Sequence, residues 1–236
     1  MRTKRALIIS AMLTGLVMLV GGGGYAYQTS RQQIDTVAEL NRACHEDKDA
    51  DGYGNVTMAG GNFSNQKGVI QIDCKIHLKP GSTFQMSNVQ LETKDFVIFD
   101  IPRDQKTKQA KTPNHVTLNH VKFHGKDANF QINLGNPAST TVIKDSILDY
   151  AVSLAVGVGE GDDDTKASLT ALRNKMRSTD KDSKGLFLVT TGKATFVDNT
   201  FEVSDSVGTA LLLGDTCEFK NNTNANDRCH GDQEVL

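Results

Sequence analysis

Six stretches of the chain carry one pattern: FQMSNVQL (84–91), VTLNHVKF (116–123), TVIKDSIL (141–148), LTALRNKM (169–176), ATFVDNTF (194–201) and TCEFKNNT (216–223). Apolar residues stand at the first, third and eighth positions, polar residues fill the turn between, and the last stretch is the most degenerate. Side chains alternate between the two faces of a strand, so the recurring apolar positions point one way, into a shared interior. The third column reads Met86, Leu118, Ile143, Ala171, Phe196 and then Glu218; the eighth reads Leu91, Phe123, Leu148, Met176, Phe201 and then Thr223. Successive starts differ by 32, 25, 28, 25 and 22 residues, which suits one coil of a stacked repeat with loops of variable length. Such columns stack at ~4.8 Å from coil to coil. The change to Glu218 and Thr223 marks the end of the core.

Outward from these stretches, a second strand follows each of the first five, at 96–101, 129–134, 151–156, 186–191 and 209–213. Gly135, Gly157, Gly192 and Gly214 stand at the ends of four of them, where a positive φ would serve a tight corner. Asn174, Asn199 and Asn221 share a turn column in three consecutive coils. They form either a ladder of side-chain amides bonded along the axis or a row of solvated turn asparagines. Over roughly residues 68–223 this repeat resembles the pectin-lyase-like group of right-handed parallel β-helices. The resemblance implies that group's fold and its frequent carbohydrate partners. The expected fold class is therefore all-β, a short right-handed single-stranded parallel β-helix of about six coils with an N-terminal capping helix.

An open end of such a stack exposes strand edges and core, so each end needs a cover. Ser30 and Gln33 have capping-box spacing, and Ile34, Val37, Ala38 and Leu40 make an apolar stripe, so residues 29–43 read as an amphipathic helix over the N-terminal end. The polar tail 224–236, pinned through Cys229, is the expected cover at the other end.

The first residues carry Arg2, Lys4 and Arg5, residues 6–20 carry no charge, and Gly21 to Gly24 then break the helix, which reads as an export signal. Gly24-Tyr25-Ala26 offers small residues to a signal peptidase, and cleavage after Ala26 is favoured over retention as an anchor whose Tyr25 and Tyr27 lie at the membrane interface. The expected organisation is a signal peptide or signal anchor (1–28), the amphipathic helix and an Asp-rich loop (29–59) and the β-helix domain (60–236). Membrane association is expected only through an uncleaved N-terminal segment, and the remainder lies outside the cytoplasm, in the periplasm, at the cell surface or secreted. Four cysteines in an exported chain read as two disulfides. Of three possible pairings, Cys44–Cys74 and Cys217–Cys229 are favoured, because each closes a short loop at one end of the domain. A net charge of −2 sets up no global field toward nucleic acid or an anionic membrane.

The run DKDADGYGN (47–55) resembles the calcium loops of EF-hand-like and secreted Asp-rich repeats, with Asp47, Asp49, Asp51 and Asn55 as ligands of a Ca²⁺ ion. Met58 stands where an EF-hand would supply a bidentate Glu, so the ion would be held weakly or with water. A basic loop with Arg103, Lys106, Lys108 and Lys111 and an acidic loop with Glu160, Asp162, Asp163 and Asp164 leave the stack at the same corner, two coils or ~10 Å apart. They are either ordinary exposed loops or a groove for a charged glycan, with calcium bridging carboxylates. His77, His115, His120 and His124 read as surface residues rather than a metal set. A lyase would need an Arg or Lys base beside clustered calcium-binding acids, and a hydrolase would need paired carboxylates. Asp100 and Arg103, flanking Pro102, come closest, and no catalytic motif of the carbohydrate-active enzymes of this fold matches residue by residue. With no Trp and 6% aromatics a sugar-stacking cleft is disfavoured. The expectation is a non-catalytic module of the cell envelope that recognises a polysaccharide or other surface partner; the alternative is a small calcium-dependent polysaccharide lyase.

Overall fold

Period-two alternation of apolar residues over short runs favours half-buried strands, and strands dominate this chain. The computed structural model describes residues 33–46, 54–72, 74–93, 95–100, 112–158, 167–178, 185–203 and 210–229. One helix, α1 (Val37–Glu46), precedes β1 (Gly54–Asn62), β2 (Val69–Ile70), β3 (Cys74–Glu92), β4 (Asp95–Asp100), β5 (His115–Leu134), β6 (Thr140–Lys144), β7 (Ile147–Val158) and β8 (Ser168–Leu172). There follow β9 (Lys175–Ser178), β10 (Gly185–Thr190), β11 (Lys193–Val197), β12 (Thr200–Val203), β13 (Ala210–Gly214), β14 (Thr216–Lys220) and β15 (Ala225–Cys229). The strand pairings are parallel throughout, and the sheet nearly closes on itself, with β14 and β15 at the two ends of its longest path.

Three ladders carry the core. In the first, Gly61, Phe84, Val116, Thr141, Leu169, Ala194 and Cys217 pair in succession. In the second, Cys74, Phe96, Phe130, Leu154 and Leu186 do so, and in the third Ile70, Leu91, Phe123, Leu148, Met176 and Phe201. Phe123 and Phe201 are buried, as are Met86, Leu118, Ile143 and Phe196. Ring contacts tie neighbouring strands together: Phe96 stacks on Phe130 at 5.1 Å between centroids, and Phe123 meets Phe130 edge-on at 5.3 Å.

The corner between the first and third ladders has a simple local cause. Asn65, Asn88, His120, Asp145, Arg173, Asp198 and Asn221 all have φ between 49 and 58°, so one left-handed residue turns the chain at each level. Asn and Asp tolerate this conformation best, and they fill five of these seven positions. The expected glycine corners differ: Gly135, Gly157, Gly192 and Gly214 are not among the positive-φ residues. Glycine at 192 and 214 supplies room instead, since a Cβ would run into the Ala167 carbonyl oxygen and the Ala194 Cβ respectively.

The residue after each left-handed position turns inward. Asn174 and Asn199 are buried there, and Asn222 rather than Asn221 completes their column. Asn174 Nδ2 donates to Asn199 Oδ1 (3.0 Å) and to the Ile143 carbonyl (2.8 Å); Asn199 Nδ2 donates to Asn222 Oδ1 (2.9 Å) and to the Ala171 carbonyl (2.8 Å). Ser146 continues the column, its backbone N–H donating to Asn174 Oδ1 (2.9 Å). Of the two readings of these asparagines, the ladder is the one adopted. Asn221 stands outside it and donates to Asp198 Oδ1 (2.8 Å).

The Asn221 slip has a cause in the last repeat, whose register differs by one residue from the sequence reading. Ala194 pairs with Cys217 and Phe196 with Phe219, not with Thr216 and Glu218. Since a one-residue slip exchanges faces, this register turns Phe219 in against Phe196, with rings 5.1 Å apart and 3° from parallel, and leaves Glu218 outside. The tail also differs. Ala225–Cys229 forms a further parallel strand on β13, and residues 230–236 of the expected cover lie outside the described residues.

At the N-terminal end α1 does act as a cover, with Leu40, Ala43 and Cys44 buried and Ile34 buried just before it. Its cap is Thr36, whose Oγ1 accepts the Glu39 N–H at 3.2 Å in the Thr-x-x-Glu spacing of a capping box; Gln33 precedes the helix, and Ser30 lies outside the described residues. Disulfides join Cys44 to Cys74, with Cα atoms 5.6 Å apart, and Cys217 to Cys229, with Cα atoms 5.9 Å apart. The first ties α1 to β3 and the second ties β14 to β15. Two such bonds fit an oxidising compartment. No helix among the described residues is long and apolar enough to cross a membrane.

Candidate functional site

The side chains that alternate with the buried ones form a flat outer face on β5, β6, β8 and β11. One outward column reads His115, Thr140, Ser168 and Lys193; the next reads Thr117, Val142, Thr170 and Thr195. Parallel pairing in register sets neighbours in each column at ~4.8 Å, and the two columns stand two residues apart along each strand. The result is a lattice of hydroxyls with a lysine and an imidazole at its margins. His115 Nδ1 lies 2.8 Å from Thr140 Oγ1, a hydrogen bond within the column.

Several carboxylates elsewhere on the stack are held by their neighbours. Arg173 donates from Nε to Asp145 Oδ1 (2.6 Å) and from Nη2 to Oδ2 (2.8 Å). That fork holds the Asp145 carboxyl below its ordinary 3.8 and raises the guanidinium in turn. Glu202 takes Lys175 Nζ at 3.0 Å and Arg177 Nη2 at 2.5 Å, and hydrogen bonds from Lys175 first and then Arg177 hold it below its ordinary 4.5. Arg177 Nε also lies 3.4 Å from Asp149 Oδ1, too long for a directed hydrogen bond but within ion-pair range. Asp95 Oδ1 accepts from the Asn129 backbone N–H (2.9 Å) and its Nδ2 (2.8 Å).

Asp100 is the sequence candidate closest to a catalytic acid, and its position explains it otherwise. It follows the buried Ile98 at the end of β4. Its carboxylate accepts from the Asn114 side-chain amide and from the Asn136 backbone N–H (2.7 Å). Asn114 is fully buried; its Oδ1 accepts the Ser82 N–H (2.8 Å), and its own N–H donates to Ser139 Oγ (2.9 Å). Asp100 thus closes a polar corner shared by three levels of the stack.

Most expected site residues lie outside the described residues: Asp47, Asp49 and Asp51 of the acidic run, Arg103, Lys106, Lys108 and Lys111 of the basic loop, and Glu160, Asp162, Asp163 and Asp164 of the acidic loop. Asn55 is described: it lies on β1, paired with Lys75, and its Oδ1 is 3.3 Å from His77 Nε2. The strands that lead into the two charged loops, β4 and β7, both pair with β5, and they end at Asp100 and Val158. The four histidines do not converge. His77 lies beside Phe99 at 6.0 Å between ring centroids, His115 on the hydroxyl face, His120 in the left-handed corner and His124 on β5 opposite Glu92 and Asp149. Among the described residues no group of three or more His, Cys, Asp or Glu side chains is placed to hold a metal ion.

Sequence reasoning attended to the loops and passed over the hydroxyl face. Its signal was present in the second position of three repeats, where Thr117, Thr170 and Thr195 each stand between two inward apolar residues. In comparisons with known proteins, no protein-family model, curated protein or solved structure matches the chain.

Proposed function

We propose that the nearly closed parallel sheet is a short right-handed parallel β-helix of the pectin-lyase-like kind, and that it serves as a non-catalytic extracytoplasmic module that binds a glycan or another surface partner. The left-handed corner column supports a stack one turn longer than the six repeats of the sequence, because Asn65 stands one level before Asn88. The observation that carries the functional reading is the pairing of the outer carboxylates. Asp145, Asp149, Glu202, Asp95 and Asp100 each face a cation, an amide or a backbone N–H within the stack, and a carboxylate so held is a poor proton carrier. What the outer face of β5, β6, β8 and β11 offers is a regular array of hydroxyl donors and acceptors, suited to a polyhydroxylated chain. The charged loops at 101–111 and 159–166 would add recognition of an anionic polymer, and Asp47, Asp49, Asp51 and Asn55 would hold a Ca²⁺ ion that braces the joint between α1 and β1.

The second reading, a small calcium-dependent polysaccharide lyase, rests on the same acidic and basic loops. One experiment separates the two. The exported protein is incubated with a panel of uronic-acid and neutral polymers, with calcium or with a chelator, and both polymer retention and unsaturated sugar ends are followed. Retention without unsaturated ends is the expected result, weakened by Lys193→Glu together with Thr170→Ala. Steady calcium-dependent formation of unsaturated ends would overturn the binding-module reading in favour of the lyase.

A further inference from the structure

The two ends of the stack are finished differently. At the N-terminal end α1 and Ile34 lie over the first strands, with Ile34 and Leu40 buried. At the C-terminal end the last level is β14 and β15, each with a single neighbouring strand among the described residues, β11 and β13 respectively. Their outer edges carry backbone N–H and C=O groups, and a parallel sheet edge is a template for another strand. Cys217, Phe219 and Ala225 pack against the core there but are only partly buried. Phe219 covers Phe196 with one ring face and turns the other along the axis, away from the stack.

β14 is also self-complementary. It reads Thr216, Cys217, Glu218, Phe219, Lys220, with Glu218 and Lys220 exposed on either side of Phe219. If a second copy of the strand runs antiparallel to it with Phe219 opposite Phe219, Glu218 of each copy falls directly opposite Lys220 of the other. Directly opposed residues of an antiparallel pair interact most strongly, and opposite charges there favour the pairing. Centring the strand on Phe219 satisfies both charge pairs at once, and it continues the Phe196–Phe219 stack into the second molecule.

One residue at this end opposes association. Asp227 on β15 pairs in register with Leu212, which is fully buried, so Asp227 occupies an inward position at the exposed end of an apolar column. An inward-pointing charge at a sheet edge is a device that limits edge-to-edge pairing, because a second molecule would have to strip its water.

We propose that the C-terminal end of the stack is a docking surface for a second copy of this chain, joined tail to tail through antiparallel β14 strands centred on Phe219, with Asp227 setting the strength of the contact. The dimer is isologous: the same two strand edges meet, each Glu218 with its partner's Lys220, about a twofold axis perpendicular to the stack.

Sedimentation of the full exported chain over a wide concentration range tests this, with melting curves confirming that each variant folds. Asp227→Leu should tighten the dimer by about tenfold or more, since an apolar side chain replaces a carboxylate that association would desolvate. On that background Glu218→Lys should weaken it by about tenfold, and so should Lys220→Glu, since each opposes like charges twice. Combining the two substitutions should restore the dimer, because the opposed charges are exchanged and the attraction is kept. A monomeric Asp227→Leu protein at every concentration would overturn the proposal, as would a double exchange no tighter than either single one. Removing residues 230–236 provides the remaining arm: a dimer that forms only after that removal would assign this end to the chain's own tail and likewise overturn it.

Discussion

Phe201 and Thr141 stand at equivalent depth in the stack and are expected to respond to truncation with opposite signs. Phe201 is fully buried between ladder neighbours, so Phe201→Ala should leave a cavity and cost ~3–5 kcal/mol in chemical denaturation. Thr141 is equally buried, in the column of Val116 and Leu169, and its Oγ1 has no hydrogen-bond partner among the described residues. Thr141→Val keeps the shape and removes an unsatisfied hydroxyl, so it should stabilise the protein by ~1 kcal/mol. A Thr141→Val protein that unfolds more easily than the wild type would show that the hydroxyl has a partner after all.

Among the elements, the column of buried asparagines is the one whose energy the local sequence hides. Asn199 bonds to the levels on both sides of its own: it meets the Ala171 carbonyl and the Asn174 amide in the preceding level and Asn222 Oδ1 in the following one. In Asn199→Ala the Ala171 carbonyl and the Asn174 backbone N–H lose their partners in a buried setting. The cost should be ~2–6 kcal/mol, the sum of two orphaned groups. Asn221→Ala removes a surface bond to Asp198 and a side chain suited to the left-handed corner, so it should cost about 1 kcal/mol, less than Asn199→Ala. If both substitutions prove equally mild, the column is a set of solvated turns and not a structural ladder.

Across the whole molecule the two disulfides act on the finished ends of the stack. Cys44–Cys74 closes a separation of 30 residues and fastens the α1 cover; Cys217–Cys229 closes 12 and fastens the last strand. By loop closure in the unfolded chain, the first should contribute about 4 kcal/mol and the second about 3 kcal/mol. Replacing Cys44 and Cys74 by Ser should therefore lower stability by up to that amount and speed hydrogen exchange first in α1 and β1. Replacement of Cys217 and Cys229 should leave α1 protected and expose β15 instead. Equal exchange at both ends in either variant would mean that the stack opens as one cooperative unit rather than from its ends.

How much of this was legible beforehand differs by kind of residue. The strands, the inward columns at Met86, Leu118, Ile143 and Phe196, and the cysteine pairing follow from alternation, period and loop length, which are properties of the chain read in order. The left-handed column was only half visible, because Arg173 has no intrinsic preference for φ near 50° and adopts it because the strands on either side must turn there. The last repeat was misread by one residue: TCEFKNNT offers two registers whose local patterns are nearly equal, and only the ring of Phe196 waiting in the level below chooses Phe219 over Glu218. The partners of Asp100 were hidden for a related reason, since nothing adjacent to it in sequence announces the Asn114 and Asn136 groups that bind it. The sequence by itself determined that this protein is a stack of parallel strands around an apolar interior, because burial period is encoded locally. Only the tertiary structure decided which polar residues hold the corners and which carboxylates are already engaged, because those depend on partners in neighbouring levels of the stack, some 14 to 36 residues away in the chain.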